Sequence, residues 1–434
     1  GWTGKKSDAV SADKKDAQPE DADKTKKDTK KKKKKVIKSD ISRVVLTETT
    51  PYEVPLIFSN EGFYKWIRRL DNRKLVSAST SAIIKDQILK KNQVRLPFNY
   101  EISKNSTSTR LLSLPHPSSQ LEIVDLYRDF GSVIAHLCRN NKTSLRRPTG
   151  FATTYYINDP KFFNPDTKAQ QGEQREESFF KKYPSSFFSY ESFSFLTNFF
   201  NSKLILKLES EYNFLRHLDI SNCFGNIYTH SISWSFKPRL RVKEIISNGV
   251  PTGGLDEVFD RTMQRMNHNE TNGIIVGPEF SRIFAEIVFI KIDNLIDKLL
   301  TDEKINDDIK VYRYVDDYFI FSKSLESLDR TELAISRVLR DYKFLINESK
   351  KIDISKPFIT DKTRSKNIIT GFRGKIEEKF FNFINGNNDS YYSLYKFILD
   401  PARIHSANNE NPFDDTCKTL LNELNKIVTG IKNN

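Results

Sequence analysis

The sequence predicts an α+β fold, an antiparallel sheet backed by helices, and three segments predict it. Residues 204–235 read as an apolar strand ending near Asp219, then a turn, then a helix through Trp234. Residues 277–300 read as one long amphipathic helix, with Phe280, Ile283, Phe284, Ile287, Val288 and Leu295 on one face. Pro278, which has no N–H to leave unpaired, suits its first turn. Residues 311–322 read as a hairpin with Asp316-Asp317 at its tip. Strand, helix and hairpin in this order leave one apolar sheet face for the helix to cover.

Around these elements the chain divides into a tail at 1–40, a mixed region at 41–210, the sheet-bearing region at 211–360 and a helical region at 361–434. With 434 residues there is room for two or three lobes, each with its own core. The tail holds 14 Lys against 8 Asp+Glu and almost no large apolar side chain, so it cannot bury enough surface to offset chain entropy and is expected to be disordered. Its Lys30–Lys35 run is able to touch nucleic-acid phosphates or to act as a plain solubilising tail. Segment 150–200 is rich in aromatics, including Phe179, Phe180, Phe187, Phe188, Phe193, Phe195, Phe199 and Phe200. Aromatics beside basic residues can stack bases, but positions 190–200 repeat at helical spacing, which favours a packed helix face. After Thr360, SYYSLYKFILDPA and TCKTLLNELNKIVTGI read as helices.

Charge and cysteine use narrow the class. Lys+Arg outnumber Asp+Glu by 70 to 56, a net +14 that concentrates polyanions and makes nucleic acid the leading partner. Cys138, Cys223 and Cys417 are widely spaced and odd in number, the pattern of free thiols in a reducing cytosol. No window reaches 18 consecutive apolar residues, and the amino terminus lacks the apolar core of a secretion signal, so a soluble intracellular protein with no membrane partner is expected. There is no Walker loop, HExxH or zinc spacing. His116 and His217 lie in extended contexts and read as structural.

The chemistry concentrates in VYRYVDDYFIF, where two aspartates interrupt a run that otherwise favours strand. A two-residue hairpin turn favours Asn-Gly or Asp-Gly, whereas Asp-Asp lacks glycine and sets like charges side by side. A pair of hard divalent cations would compensate that charge while leaving room for water and substrate phosphates. HLDISNCF supplies a third carboxylate, Asp219, from a strand end. Alone, Asp219 reads equally well as a helix N-cap. Together, Asp219, Asp316 and Asp317 form a candidate two-metal site for in-line phosphoryl displacement.

These residues resemble the reverse transcriptase family. RYVDD is similar to its active-site hairpin motif and DISNCF to its first palm motif, so Phe224 corresponds to the aromatic that lies beneath the incoming sugar and excludes a ribose 2′-hydroxyl. TNGIIVGPEFSRIFAEI resembles the nucleotide-pocket motif and nominates Asn272 and Gly273; Asn272 departs from the commoner Gln and Gly277 from the commoner Ser. RLLSLPHPSSQ resembles the fingers motif whose arginine, here Arg110, holds the triphosphate, and INESKK the motif whose lysine lies near the leaving pyrophosphate, with Lys350 the candidate and Lys351 its rival. The resemblance implies a right-hand polymerase with fingers in 41–210, palm in 211–360 and a thumb-like 361–434, and two Mg²⁺ ions, with Mn²⁺ as substitute, on the three aspartates. FSYESFSFLTNFF, NIYTHSISW and PYEVPLIFSNEGFY are most similar to bacterial antiphage and abortive-infection reverse transcriptases, in particular the second polymerase of the type 3 systems. That implies dNTP substrates, a noncoding RNA, a DNA product, a second reverse transcriptase subunit with homo- or hetero-oligomers, and a bacterial cytoplasmic setting. Some members of this wider group synthesise DNA without a conventional template or prime it from a protein hydroxyl. The alternatives are an RNA-dependent RNA polymerase, against which Phe224 argues, and a nucleic-acid-binding subunit with a vestigial site.

Overall fold

Local apolar spacing and turn residues set the elements of the chain, which the computed structural model describes at residues 33–35, 40–48, 58–71, 82, 84–103, 108–156, 186–193, 195–249, 253–359 and 374–382, with scattered helical positions between 392 and 427. In order, leaving aside the one-turn helix Val44–Thr47 and other short helical turns, they are β1 (Lys33–Lys35), α1 (Glu61–Asp71), β2 (Phe98–Ser103), β3 (Thr109–Leu114), α2 (Pro117–Arg139), β4 (Arg146–Phe151), β5 (Thr154–Tyr156), β6 (Phe188–Ser192) and α3 (Leu196–Phe200). There follow α4 (Lys203–Glu211), β7 (Phe214–Asp219), α5 (Cys223–Asn226), α6 (Ser231–Phe236), α7 (Arg239–Ser247), α8 (Leu255–Met266), α9 (Glu279–Asp302), β8 (Ile309–Tyr314), β9 (Asp317–Ser322), α10 (Leu325–Asp341) and β10 (Ile352–Ser355).

The centre is an antiparallel sheet of order β10-β7-β9-β8, flanked by separate two-stranded pairs β2-β3, β4-β6 and β1-β5. Alternation along β7 and β9 sends side chains to two cores. Leu218, Tyr318 and Ile320 join Phe280, Phe284 and Val288 of α9 on one side. Leu215, Phe319 and Phe321 join Phe199 and Phe200 of α3 with Ile205 and Leu208 of α4 on the other. Helix α9 opens at Pro278 as its N-cap residue, and the expected apolar face is buried except for Leu295, which is partly so. Each fully buried Phe or Ile there contributes roughly 1.5–3 kcal/mol, so Phe284→Ala is the kind of change that breaks this layer. Ile376, Ile398, Leu420 and Ile427 form a small third cluster.

Several local expectations are corrected. Residues 203–211 are helical rather than strand: Leu204, Ile205 and Leu208 recur at helical spacing, Ile205 and Leu208 are buried, and the strand starts only at Phe214. The helix after Asp219 is interrupted, α5 ending before Ile227 and α6 starting at Ser231. Positions 188–192 are strand β6 and only 196–200 are helix, although Phe187, Phe188, Phe193, Phe199 and Phe200 are all buried, which favours core over base stacking. Phe179 and Phe180 lie outside the described residues. Lys33–Lys35, expected to be disordered, pair with Thr154–Tyr156, since strand pairing uses backbone groups alone. The rest of the lysine tail lies outside the described residues, as does Cys417.

The hairpin is also shifted by one residue. Tyr314 and Asp317 are direct partners, so the two-residue loop is Val315-Asp316 and Asp317 already belongs to β9. Burial on both sheet faces fixes this register, because a one-residue slip would turn every β9 side chain to the opposite core.

Candidate active site

Strand β7 ends at Asp219 and β9 begins at Asp317, and the two residues face each other as the last pair of their ladder. Period-two alternation puts His217 on the same face as Asp219. Asp316 occupies the adjoining turn, so three carboxylates from two distant segments meet at one end of the sheet. The helix-cap alternative for Asp219 is excluded, since the residue at the N-cap of α5 is Asn222, with φ of 44°.

The three carboxylates are held differently. Asp219 Oδ2 accepts from Lys350 Nζ at 3.0 Å and Asn347 Nδ2 at 3.2 Å, and its carbonyl accepts from Asn347 N at 2.8 Å. Lys351 points elsewhere, to Glu332 at 2.9 Å, which favours Lys350 as the lysine at the site. Asp317 Oδ1 lies 2.7 Å from His217 Nε2, and the imidazole stacks on Phe319 with ring centroids 4.9 Å apart. Asp316 is the most perturbed: burial, then the Asp317 and Asp219 charges, push its carboxyl up to about 6, against the pull of its own backbone N–H and of Arg110. Val315, just before it, has φ of 59°, a left-handed conformation that costs a β-branched residue roughly 1–2 kcal/mol.

A second group assembles beside the carboxylates. Ile274 N donates to Phe224 O at 2.9 Å, Gly273 N donates to Ile227 O at 2.8 Å, and Asn272 bridges Tyr228. Gly273 has φ of 87°, and a Cβ there would stand 3.1 Å from Gly225 O, so glycine is needed for the two backbones to approach. Ser113 N donates to Val276 O at 2.8 Å, which ties strand β3 to this turn. Arg110 is exposed on the same strand, and its charge is felt at Asp316. The structure thus brings Asp219, Asp316, Asp317 and Lys350 together, sets the backbone of 224–228, with Phe224, against the turn at 272–274, with Asn272 and Gly273, and places the charge of Arg110 where Asp316 feels it.

Among the described residues no group of three or more His, Cys, Asp or Glu side chains is already gathered closely enough to hold a metal ion without substrate. An open set of carboxylate oxygens is what Mg²⁺ takes, since it retains waters and binds through one or two carboxylates plus substrate phosphates. Burial first, and then the neighbouring Asp317 and Asp219 charges, lift the Asp316 carboxyl, and a cation at this turn would offset both, so these residues fit the group.

Two further residues stand at the site: His217, expected to be structural, against Asp317, and Asn347 against Asp219. His217 was legible in principle, lying two positions before Asp219 on one strand; Asn347 depends on a tertiary contact with no sequence signal. His116 does act structurally, its Nδ1 accepting from Ser118 N at the start of α2. Cys138 and Cys223 are buried free thiols.

Fold and site together define an α+β domain with three carboxylates gathered at one end of an antiparallel sheet. Residues 173–360 match the family described as "Reverse transcriptase (RNA-dependent DNA polymerase)", and the matched part is somewhat less than half of the chain. It contains every site residue above except Arg110. No curated protein matches the chain. Similar solved structures include telomerase from Candida albicans in complex with a TWJ fragment of telomeric RNA, at TM-score 0.40 and 10% identity over 81% of this chain and 65% of that one. Apo telomerase from Candida tropicalis, truncated from its C-terminal domain, gives 0.37 and 12% over 65% and 55%. The chain thus spans less than two thirds of the length of either telomerase. No helix among the described residues is long and apolar enough to cross a membrane.

Proposed function

We propose that the chain is an RNA-directed DNA polymerase that joins deoxynucleotides to a DNA 3′ end by divalent-metal-assisted nucleotidyl transfer. The observation that carries this is the direct pairing of Asp219 with Asp317, with Asp316 in the adjoining turn, inside the segment that matches the reverse transcriptase family. In this reading 41–210 supplies fingers, 211–360 the palm and 361–434 a thumb-like region. Asp219, Asp316 and Asp317 would hold a pair of Mg²⁺ ions, with Mn²⁺ as substitute, which when bound lower the barrier for 3′-hydroxyl attack and for departure of pyrophosphate. Arg110 binds the triphosphate, its planar fork suiting phosphate oxygens. Phe224 and the Asn272-Gly273 turn shape the sugar pocket and exclude a 2′-hydroxyl. Lys350, released from Asp219 as charge on that carboxylate is taken up elsewhere, stands ready to meet the leaving pyrophosphate.

The setting we propose is antiphage defence in the bacterial cytoplasm, with a noncoding RNA and a second reverse transcriptase subunit as partners. The phrases FSYESFSFLTNFF and NIYTHSISW support it. Purified protein, with whatever co-purifies, is tested for nucleotide incorporation and the bound RNA and new DNA are sequenced. Deoxynucleotide incorporation that is lost in Asp316→Asn supports the reading. Preferential use of ribonucleotides would replace it with an RNA polymerase, and unchanged incorporation and phage protection in Asp316→Asn with a binding-only subunit.

A further inference from the structure

Arg313 heads the large side chains wholly shut from solvent, although it is charged and stands in a strand one turn away from the site. All five of its N–H groups are used. Nε donates to Asp293 Oδ1 and Oδ2 at 3.1 and 3.0 Å, and Nη2 to Asp293 Oδ2 at 2.8 Å and Glu286 Oε1 at 3.1 Å. Nη1 donates to Glu286 Oε2 at 3.0 Å and to Val315 O at 2.9 Å. Both carboxylates come from one face of α9, seven residues apart. Tyr318 Oη and Asn141 Nδ2 donate to Asp293 at 2.9 and 2.7 Å, and the guanidinium lies 4.8 Å from the Phe289 ring centroid.

A network that served only cohesion of the core would end within itself. Every other bond of the guanidinium does so; the bond to Val315 O leaves it and reaches the loop. Val315 holds φ of 59° without being glycine, so this turn needs an external hold, and the next residue is Asp316. The chain of contact runs from the rigid helix α9 through the guanidinium to the Val315 carbonyl and so to the carboxylate at the tip.

We propose that Arg313 is a positioning residue for the Asp316 carboxylate, acting through the Val315 carbonyl. The proposal rests on the reading of Asp316 as a metal-binding residue. It separates the guanidinium's two duties, neutralising the buried acids and holding the turn, and the duties can be tested apart. In the full chain, Arg313→Met combined with Glu286→Gln and Asp293→Asn removes the buried charges together and the turn hold with them. Mn²⁺ affinity, read by electron paramagnetic resonance, is expected to weaken about 10–100-fold, as for loss of other outer-shell supports, while the thermal transition stays cooperative. Arg313→Lys, which keeps the charge but not the fork, is the second variant and is expected to lose Mn²⁺ affinity likewise. Adding Val315→Gly, which makes the turn conformation intrinsically accessible, is expected to restore most of the affinity in either background.

Wild-type Mn²⁺ affinity and incorporation in the folded triple variant, or no recovery on adding Val315→Gly to Arg313→Lys, would overturn the proposal. Failure of the wild type to incorporate nucleotides while still binding Mn²⁺ would sink the polymerase reading alone, with the positioning role judged on affinity. A wild type that neither binds Mn²⁺ nor incorporates sinks both.

Discussion

Two clusters of acidic side chains lie close together on either side of one hairpin, and they are treated in opposite ways. Behind it, Glu286 and Asp293 are buried and meet the guanidinium of Arg313, with Tyr318 and Asn141 completing the hydrogen bonds of Asp293. At its tip, Asp219, Asp316 and Asp317 meet half-exposed Lys350, Asn347, His217 and the field of Arg110, and Asp316 is left with its carboxyl raised. Carboxylates satisfied by the protein's own cation hold structure. Carboxylates left in deficit are available to something that arrives from solution, and perturbed titration of this sort clusters at functional sites.

Substitutions at the two clusters should therefore part company. The largest expected effect is on catalysis at the tip: Asp219→Asn or Asp316→Asn should reduce nucleotide incorporation by about 10³-fold or more while the protein stays folded, measured by primer extension and circular dichroism. Behind the hairpin, Glu286→Ala or Asp293→Ala should cost stability instead, about 3–5 kcal/mol in denaturant unfolding, because an uncompensated buried charge remains.

A smaller effect has the opposite sign. The Asp316 carboxyl titrates in the fold near 6, above its ordinary 3.8, so ionisation is disfavoured there and the stability present below about pH 4 is lost as pH rises through about 6. Asp316→Asn should therefore stabilise the metal-free protein at pH 7–8, on the order of 1–3 kcal/mol, and give no gain at pH 4. Saturating Mg²⁺ should raise the melting temperature of the wild type and not that of this variant. Smallest is Lys350→Ala: its amine is about half exposed, and incorporation should fall only a few-fold, with the loss concentrated in kcat. An equal response of both clusters to any of these changes would erase the distinction.

The tip was legible in the sequence and the back was not, for a physical reason. Asp316 and Asp317 interrupt an apolar run that gains nothing from them, and such a conflict between local pattern and residue type marks function. The expected alternation and the long helix over 277–300 were likewise readable, because burial imposes those periods. Arg313 carries no signal of its own in the sequence; only the tertiary approach of Glu286 and Asp293 from α9 shows it buried and paired. The loop was misplaced onto Asp316-Asp317 because Val315 carries none of the turn chemistry that announces positive φ. Helix α4 was read as strand because LILKL fits both periods over so short a run.

The most direct measurement is to localise a bound cation. With Fe²⁺ substituted for Mg²⁺ and ascorbate with peroxide added, hydroxyl radicals should cut the backbone near Asp219 and near Asp316-Asp317, excess Mg²⁺ should suppress both cuts, and Asp316→Asn should lose both. Cleavage confined to one of the two segments, or unaffected by Mg²⁺, would contradict a shared site.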